Sequence, residues 1–115
     1  MDLTDKVQER YMTLLKEQDF IKIKTLEDLT GIKPNINEDM MQEAYAAYVK
    51  SEFNRWYIDM IEKDFGVSIR LSQTQVEELY TTYASKDDLH SIKSLKEYSK
   101  ISPSEDIIKK IVGAE

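Results

Sequence analysis

The sequence predicts an all-α fold: three stacked helix-turn-helix hairpins of about 34–35 residues and a C-terminal capping helix, which together form a short α-solenoid. Apolar residues recur at the 3.6-residue spacing of a helix along the whole chain. The pattern itself returns after 34 residues, from Tyr11 to Tyr45, and after 35 residues, from Tyr45 to Tyr80. Only three Gly and two Pro in 115 residues leave little room for a turn-rich β fold.

A single domain is expected over residues 1–115. Its repeats cover about 4–36, 37–71 and 72–101, and the capping helix covers 103–112. We expect neighbouring hairpins to share their apolar faces, because one hairpin cannot bury enough apolar surface to offset the conformational entropy lost on folding.

The central hairpin, Asn37 to Gly66, shows the plan most clearly. Asn37 is predicted to cap the start of its first helix, and Gly66 the end of its second. The predicted apolar faces are Met41, Ala44, Tyr45, Tyr48 and Val49 on the first helix, and Phe53, Trp56, Tyr57, Met60 and Ile61 on the second.

The first hairpin is predicted to begin with a helix from Thr4 to Glu17. Asp19 then caps a second helix, which Gly31 closes. The residues predicted to face inward are Val7, Tyr11, Leu14, Leu15, Phe20, Ile23, Leu26 and Leu29.

The third hairpin opens with a capping box between Ser72 and Gln75. A second helix is predicted to start at Ser85, and the capping helix at Ser102 with Pro103 as its first residue. The inward-facing residues are predicted to be Val76, Leu79, Tyr80, Tyr83, Ala84, Leu89, Ile92, Leu95 and Tyr98, followed by Ile107, Ile108, Ile111 and Val112 in the capping helix.

The period, the paired helices and the proline-containing connectors resemble the αα-hairpin repeat superfamily of tetratricopeptide and pentatricopeptide repeats. Residues 31–35, GIKPN, resemble the G-I-K-P-[DN] junction of pentatricopeptide repeats, which bind single-stranded RNA. With Pro34 set at the closing proline of the tetratricopeptide, Ala44 falls on its small first-helix position, but Trp56 occupies its small second-helix position. The resemblance implies stacked helix pairs whose internal packing differs from that of the tetratricopeptide.

Composition bounds the class of protein. The formal net charge of −6 disfavours general binding to nucleic acid, because an acidic chain repels phosphate backbones at long range. No apolar run approaches the roughly 18 residues of a membrane span, so no membrane partner is expected. The chain has no cysteine and its start lacks an apolar signal segment, which favours the cytoplasm.

Residues that could carry catalysis are few. His90 is the lone histidine and is expected to be an exposed helix residue. Acidic pairs at 38–39, 77–78, 87–88 and 105–106 are each placed in the first turn of a predicted helix, where they compensate the helix dipole. We therefore expect no enzyme, no metal site and no cofactor.

The predicted function is a non-catalytic module that binds a protein or peptide on the surface of the stacked first helices. Tyr48 and Tyr83 are the tyrosines predicted to line such a groove, although core packing is the simpler interpretation of the repeated tyrosines. Trp56 is the third candidate, because the residues aligned with it, Lys22 and Ser91, are polar.

Two alternatives remain open from the sequence. One is a pentatricopeptide-like protein that binds single-stranded RNA, which the acidic net charge disfavours. A basic stripe near the second helices is one interpretation of the lysines there, although a solvated face is simpler; they are Lys22, Lys24, Lys33, Lys86, Lys93, Lys96 and Lys100. The other is a DNA-binding helix-turn-helix over Thr25 to Tyr45, whose would-be recognition helix is acidic and lacks arginine.

Overall fold

The computed structural model describes residues 2–113, and in that range the chain forms seven α-helices and no strand. The helices are α1 (Leu3–Lys16), α2 (Phe20–Thr30), α3 (Glu38–Ser51), α4 (Arg55–Phe65), α5 (Gln73–Ser85), α6 (Leu89–Ser99) and α7 (Glu105–Val112). The predicted all-α class is confirmed. Among these helices, none is both long and apolar enough to cross a bilayer.

Each long helix begins at a capping side chain. Asp2, Asn37 and Ser72 accept hydrogen bonds from backbone N–H groups in the first turns of α1, α3 and α5. The reciprocal capping box predicted between Ser72 and Gln75 is present. In this way, orphan donors at these helix starts are satisfied by local chemistry that the sequence encodes directly.

The shorter helices α2, α4 and α6 end in the same conformation. Their C-caps are left-handed, with φ of 70° at Gly31, 67° at Gly66 and 63° at Lys100. Glycine takes this conformation without steric cost, whereas Lys100 takes it at a steric cost because it has a Cβ. The predicted stops at Gly31 and Gly66 are confirmed.

Two predicted helix starts were wrong. α5 runs through Ser85, and α6 begins after Asp88, whose carboxylate accepts hydrogen bonds from both the N–H and the hydroxyl of Ser91. α7 is capped by Ser104 rather than Ser102, so Pro103 precedes the cap. At both starts, the residue that caps the helix lies two or three positions downstream of the predicted cap.

The helices contact each other in series. α1 packs on α2 and α3, α3 packs on α5, and α5 packs on both α6 and α7, while α4 packs on α6. The described chain is elongated, with extents of 59 × 21 × 20 Å. One line of contacts therefore runs in chain order from α1 through α3 and α5 to α7.

The core confirms most of the predicted faces and corrects others. The predicted residues Val7, Tyr11, Tyr45, Tyr80 and Leu95 are all buried. The predicted inward residues that are instead exposed are Leu29 (78%), Val112 (68%), Trp56 (67%), Leu89 (53%) and Ile108 (43%).

The error in α4 has a local cause. Phe53 is buried but lies in an extended linker ahead of the N-cap Asn54, so it does not belong to the helical face. The face of α4 is therefore rotated, and Ile58, which was not predicted, is fully buried in place of Trp56.

Candidate interaction surface

Three tyrosines at matching positions tie each long helix to the chain that follows it. The hydroxyl of Tyr11 donates to the carbonyl of Ile32, and that of Tyr80 donates to the carbonyl of Ile101, both at 2.5 Å. The hydroxyl of Tyr45 instead donates to Oε2 of Glu62 at 2.9 Å. These buried rings are structural, as the simpler interpretation of the repeated tyrosines expects.

Tyr48 and Tyr83 do not line a groove. Their side chains are only 4% and 0% exposed. The hydroxyl of Tyr83 donates to the backbone carbonyl of Val49. The Tyr48 ring packs edge-on against Tyr57 at 4.7 Å between centroids. In this structure neither side chain is accessible to a partner, so the predicted groove lined by these two rings is not formed.

Burial in this core favours the neutral form of the tyrosine hydroxyls. Burial is the largest cause that raises the pKa of Tyr45, Tyr48 and Tyr83 above its usual range. Burial and a hydrogen bond to Glu62 raise the pKa of Tyr98 to about 12. At neutral pH these hydroxyls are therefore protonated. Those of Tyr45, Tyr83 and Tyr98 donate hydrogen bonds within the core, whereas that of Tyr48 has no partner among the described residues.

Two backbone contacts align the starts of the three short helices. The Tyr57 hydroxyl in α4 accepts from the N–H of Phe20 at the start of α2, at 2.8 Å. The Ser91 hydroxyl in α6 accepts from the N–H of Phe53, just before α4, also at 2.8 Å. The starts of α2, α4 and α6 consequently lie side by side.

This edge exposes one large apolar residue from each short helix. Ile21 is 45% exposed, Trp56 67% and Leu89 53%. We call these three residues the helix-start edge. Trp56 is thus the one predicted partner-binding residue that the structure leaves accessible.

Arg55, the residue before Trp56 in the sequence, makes two side-chain contacts. The Arg55 Nε lies 3.3 Å from a carboxylate oxygen of Asp59, and the guanidinium carbon is 5.6 Å from the centroid of the Tyr98 ring. Both contacts restrict the Arg55 side chain. The helix-start edge therefore carries exposed apolar area, and the residue before Trp56 in the sequence, Arg55, is held in an ion pair with Asp59.

Two shallow grooves lie between the long helices. One, of about 300 Å³, separates α1 from α3 and is floored by Ala44 and Ala47. The other, of about 460 Å³, separates α3 from α5, with Ala46 on its floor and Lys50 and Arg70 among its lining residues. They correspond to the surface on which the sequence placed a partner.

The predicted first-turn positions of the acidic pairs are confirmed for two pairs and wrong for the other two. Glu38–Asp39 and Glu105–Asp106 do lie in first turns, of α3 and α7. Residues 77–78 lie further inside α5, and residues 87–88 precede α6. Within residues 2–113, no three His, Cys, Asp or Glu side chains are grouped so that they could hold a metal ion, and His90 is exposed.

No protein-family model, curated protein or solved structure matches this chain.

Proposed function

We propose that the chain is a short α-solenoid of three stacked helix pairs that binds a protein or peptide partner through the helix-start edge. The exposed Trp56 is the observation that carries this proposal. Tryptophan is enriched among the residues that dominate binding energy in protein interfaces, where its large rigid ring fills a pocket of the partner. A cytoplasmic location and a non-catalytic role stay part of the proposal.

The stacked arrangement is supported by features that return at a fixed interval. The left-handed C-caps fall at residues 31, 66 and 100, which are 35 and 34 residues apart. The N-caps of the same helices fall at residues 19, 54 and 88, again 35 and 34 apart. Equal spacing of equal local structures is typical of a repeat array.

The contacts between pairs support the same arrangement. In each of the two later pairs, a hydroxyl accepts a hydrogen bond from a backbone N–H at or just before the start of the preceding short helix. Tyr57 accepts from Phe20, and Ser91 accepts from Phe53. Because the same kind of contact joins the first pair to the second and the second to the third, a translational stack accounts for both.

The helix-start edge suits a partner that offers an apolar pocket. The indole of Trp56 offers contact area, and the exposed Ile21 and Leu89 add apolar area along the same edge. The proposed surface therefore lies at the starts of α2, α4 and α6, whereas the sequence predicted it on the long helices.

Crosslinking tests the proposed surface directly. A photoreactive phenylalanine analogue is placed at Trp56 in one variant and at Ala46, in the groove between α3 and α5, in a matched variant. We expect protein adducts from position 56 and few from position 46. Adducts from position 46 alone would move the surface to the long helices, and recovery of nucleic acid alone would refute a protein partner.

The intrinsic fluorescence of Trp56 gives a second readout, because it is the only tryptophan in the chain. An indole 67% exposed emits as in water and is readily quenched by acrylamide. A partner recovered by crosslinking is expected to shift this emission to the blue and to protect it from quenching. Unchanged emission at saturation would place the partner elsewhere.

Single-stranded RNA binding is the second candidate, and one surface feature favours it. Lys93, Lys96 and Lys100 line a shallow depression of about 440 Å³ on α6, accompanied there only by Glu97. Clustered lysines neutralise phosphates, and such binding weakens steeply with salt. No affinity for single-stranded RNA at about 50 mM salt would remove this candidate.

The helix-turn-helix alternative is disfavoured by the connection between α2 and α3. The DNA-binding motif joins its helices with about 3–4 residues. Here α2 ends at Thr30 and α3 begins at Glu38, with residues 31–37 between them.

A further inference from the structure

We propose that the partner of the helix-start edge is a basic amphipathic helix, which covers Trp56 with its apolar face and places lysine or arginine against the acidic connectors that precede the short helices. The inference rests on the proposed protein-binding role of that edge and names the chemistry of the partner. It follows from the charges around the edge, from which of them are already paired, and from the spacing of the exposed apolar side chains.

The connectors between the long and the short helix of each pair are acidic. They are residues 17–19, 52–54 and 86–88, and each ends one or two positions before an exposed apolar residue of the helix-start edge. Lys86 is the one lysine or arginine in these connectors. Their carboxylates are those of Glu17, Asp19, Glu52, Asp87 and Asp88. Negative charge therefore lies next to the apolar area in every pair.

The two cations in the first turns of the short helices are already paired. Nζ of Lys22 lies 3.6 Å from a carboxylate oxygen of Asp19, and Nε of Arg55 lies 3.3 Å from one of Asp59. Each of these pairs is neutral as a unit. Neither pair therefore adds net positive charge to the edge.

The exposed carboxylates of the connectors are not neutralised in this way. Glu17 and Glu52, which are the C-caps of α1 and α3, and Asp87 make no ion pair within 4.0 Å in the described range 2–113. The ammonium group of Lys86 donates to the backbone carbonyl of Ser51 at 2.5 Å. The edge thus offers negative charge that cations of a partner can complement.

The charges of successive connectors lie close enough to act on the same side chains. Burial is the largest cause that raises the pKa of Tyr57, and the charges of Asp19 and Glu52 add to the rise. Burial is also the largest cause that raises the pKa of Tyr83, and the charges of Asp88 and Glu52 add to it. Because Glu52 belongs to both sets, the three connectors form one continuous acidic row beside the short-helix starts.

The exposed apolar side chains are spaced so that a helix can cover them. Ile21 and Trp56 are the second residues of α2 and α4, which pack through the Phe20 and Phe65 rings at 5.5 Å between centroids. Packed helices lie about 8–10 Å apart, and residues seven positions apart on a helix are separated by about 10.5 Å. A partner helix laid across the short-helix starts therefore matches both side chains with apolar residues seven positions apart. The described part of the chain has no strand whose edge an extended segment could join.

Two synthetic peptides test the charge of the partner. Both carry leucine along one helical face and lack tryptophan; one has lysine and the other glutamate at the remaining positions. The anisotropy of the labelled peptides measures their affinity for the full chain at about 0.15 M salt, where exposed charges more than about 8 Å apart are largely screened. We expect the lysine peptide to bind with a Kd below about 1 mM and to shift the emission of Trp56 to the blue, and the glutamate peptide not to bind.

Charge reversal locates the attraction. The edge variant combines Glu17→Lys and Glu52→Lys, and lysine already occupies the matching C-cap of α5, at Lys86. The control variant combines Glu9→Lys and Glu77→Lys, two exposed positions at least seven residues before the ends of α1 and α5, and has the same net charge. We expect the lysine peptide to bind the edge variant roughly tenfold more weakly than the wild-type chain, and the control variant less than about twofold more weakly. Circular dichroism checks that both variants are folded.

Several results would overturn the inference. The lysine peptide could fail to bind at about 1 mM, the glutamate peptide could bind as tightly, the edge and control variants could change the affinity by the same factor, or the emission of Trp56 could stay unchanged at saturation. The protein-binding role of the edge is judged separately, by the crosslinking described above. Protein adducts from position 56 whose crosslinked segment is acidic or neutral would keep that role and remove the basic helix.

Discussion

Removing single hydroxyl groups from Tyr83 and Tyr48 should have opposite effects on stability. The Tyr83 hydroxyl donates to the carbonyl of Val49, which lies in the last turn of α3 and is one of the four carbonyls that a helix end leaves without an intrahelical partner. Phe53, four residues on, gives its N–H to Ser91 instead. Tyr83→Phe therefore leaves the carbonyl of Val49, a residue that is 1% exposed, without a hydrogen-bond donor. The free energy of unfolding should fall by about 1–3 kcal/mol.

The Tyr48 hydroxyl is buried and has no hydrogen-bond partner in the part of the chain that the structure describes. It has lost its water without gaining a protein acceptor, which is unfavourable. Tyr48→Phe keeps the ring contact with Tyr57 and should be neutral or stabilise the fold by up to about 1 kcal/mol.

Urea denaturation at neutral pH, followed by circular dichroism, measures both changes in the free energy of unfolding. Equal slopes with denaturant for the two variants and the wild-type chain would show that only stability has changed. A loss of more than about 1 kcal/mol in Tyr48→Phe, or no loss in Tyr83→Phe, would refute the assigned hydrogen bonding.

Three further predictions concern the core, a helix end and pH. Tyr45→Ala should cost about 3–5 kcal/mol because the ring is fully buried, whereas the exposed Glu43→Ala should stay within about 0.5 kcal/mol; similar losses in denaturant melts would mean the faces of α3 are misassigned. Lys100→Gly should stabilise the fold by roughly 0.5–1 kcal/mol, since φ of 63° strains a residue with a Cβ; a lower melting temperature would contradict this. Folding raises the tyrosine pKa values, for Tyr98 from 10 to about 12, so the tyrosines of the unfolded chain ionise first as pH rises. Stability present below pH 10 should therefore be lost as pH rises towards 12, by about 1.4 kcal/mol per pH unit for each such tyrosine. Melting temperatures that do not change between about pH 9 and pH 11 would argue against burial of these tyrosines.

Much of the fold could be predicted because its signals are local. A capping side chain such as Asn37 or Ser72 needs only the next three residues to act, and Gly31 and Gly66 end helices through their own backbone freedom. Where two capping residues compete within a few positions, as at Ser102 and Ser104, the sequence does not decide between them.

Burial was less predictable wherever it depends on a neighbouring helix pair. Leu29 has the helical spacing of a core residue, yet it is 78% exposed, because no other helix of the described residues covers it. Trp56 was assigned to the core face because the extended linker before Asn54 interrupts the helical period. The pattern identifies apolar positions, but the count of neighbours determines which of them are covered.

The candidate surface was predictable only in part for the same reason. Trp56 was singled out because the residues aligned with it, Lys22 and Ser91, are polar, and it is accessible. Tyr48 and Tyr83 are buried instead. The accessible neighbours Ile21 and Leu89 were missed. Their signal was present in the sequence, as an apolar residue directly after the caps Asp19 and Asp88, or one position further on.

Small-angle X-ray scattering tests the stacked arrangement most directly. The measurement is made on the wild-type chain and extrapolated to zero concentration, so that association between copies does not contribute. Stacked pairs predict a radius of gyration near the 16.8 Å of the Cα atoms and a longest dimension near 59 Å. A chain of this length folded into one compact bundle would have a radius of gyration of roughly 13 Å, and that value would contradict the stack.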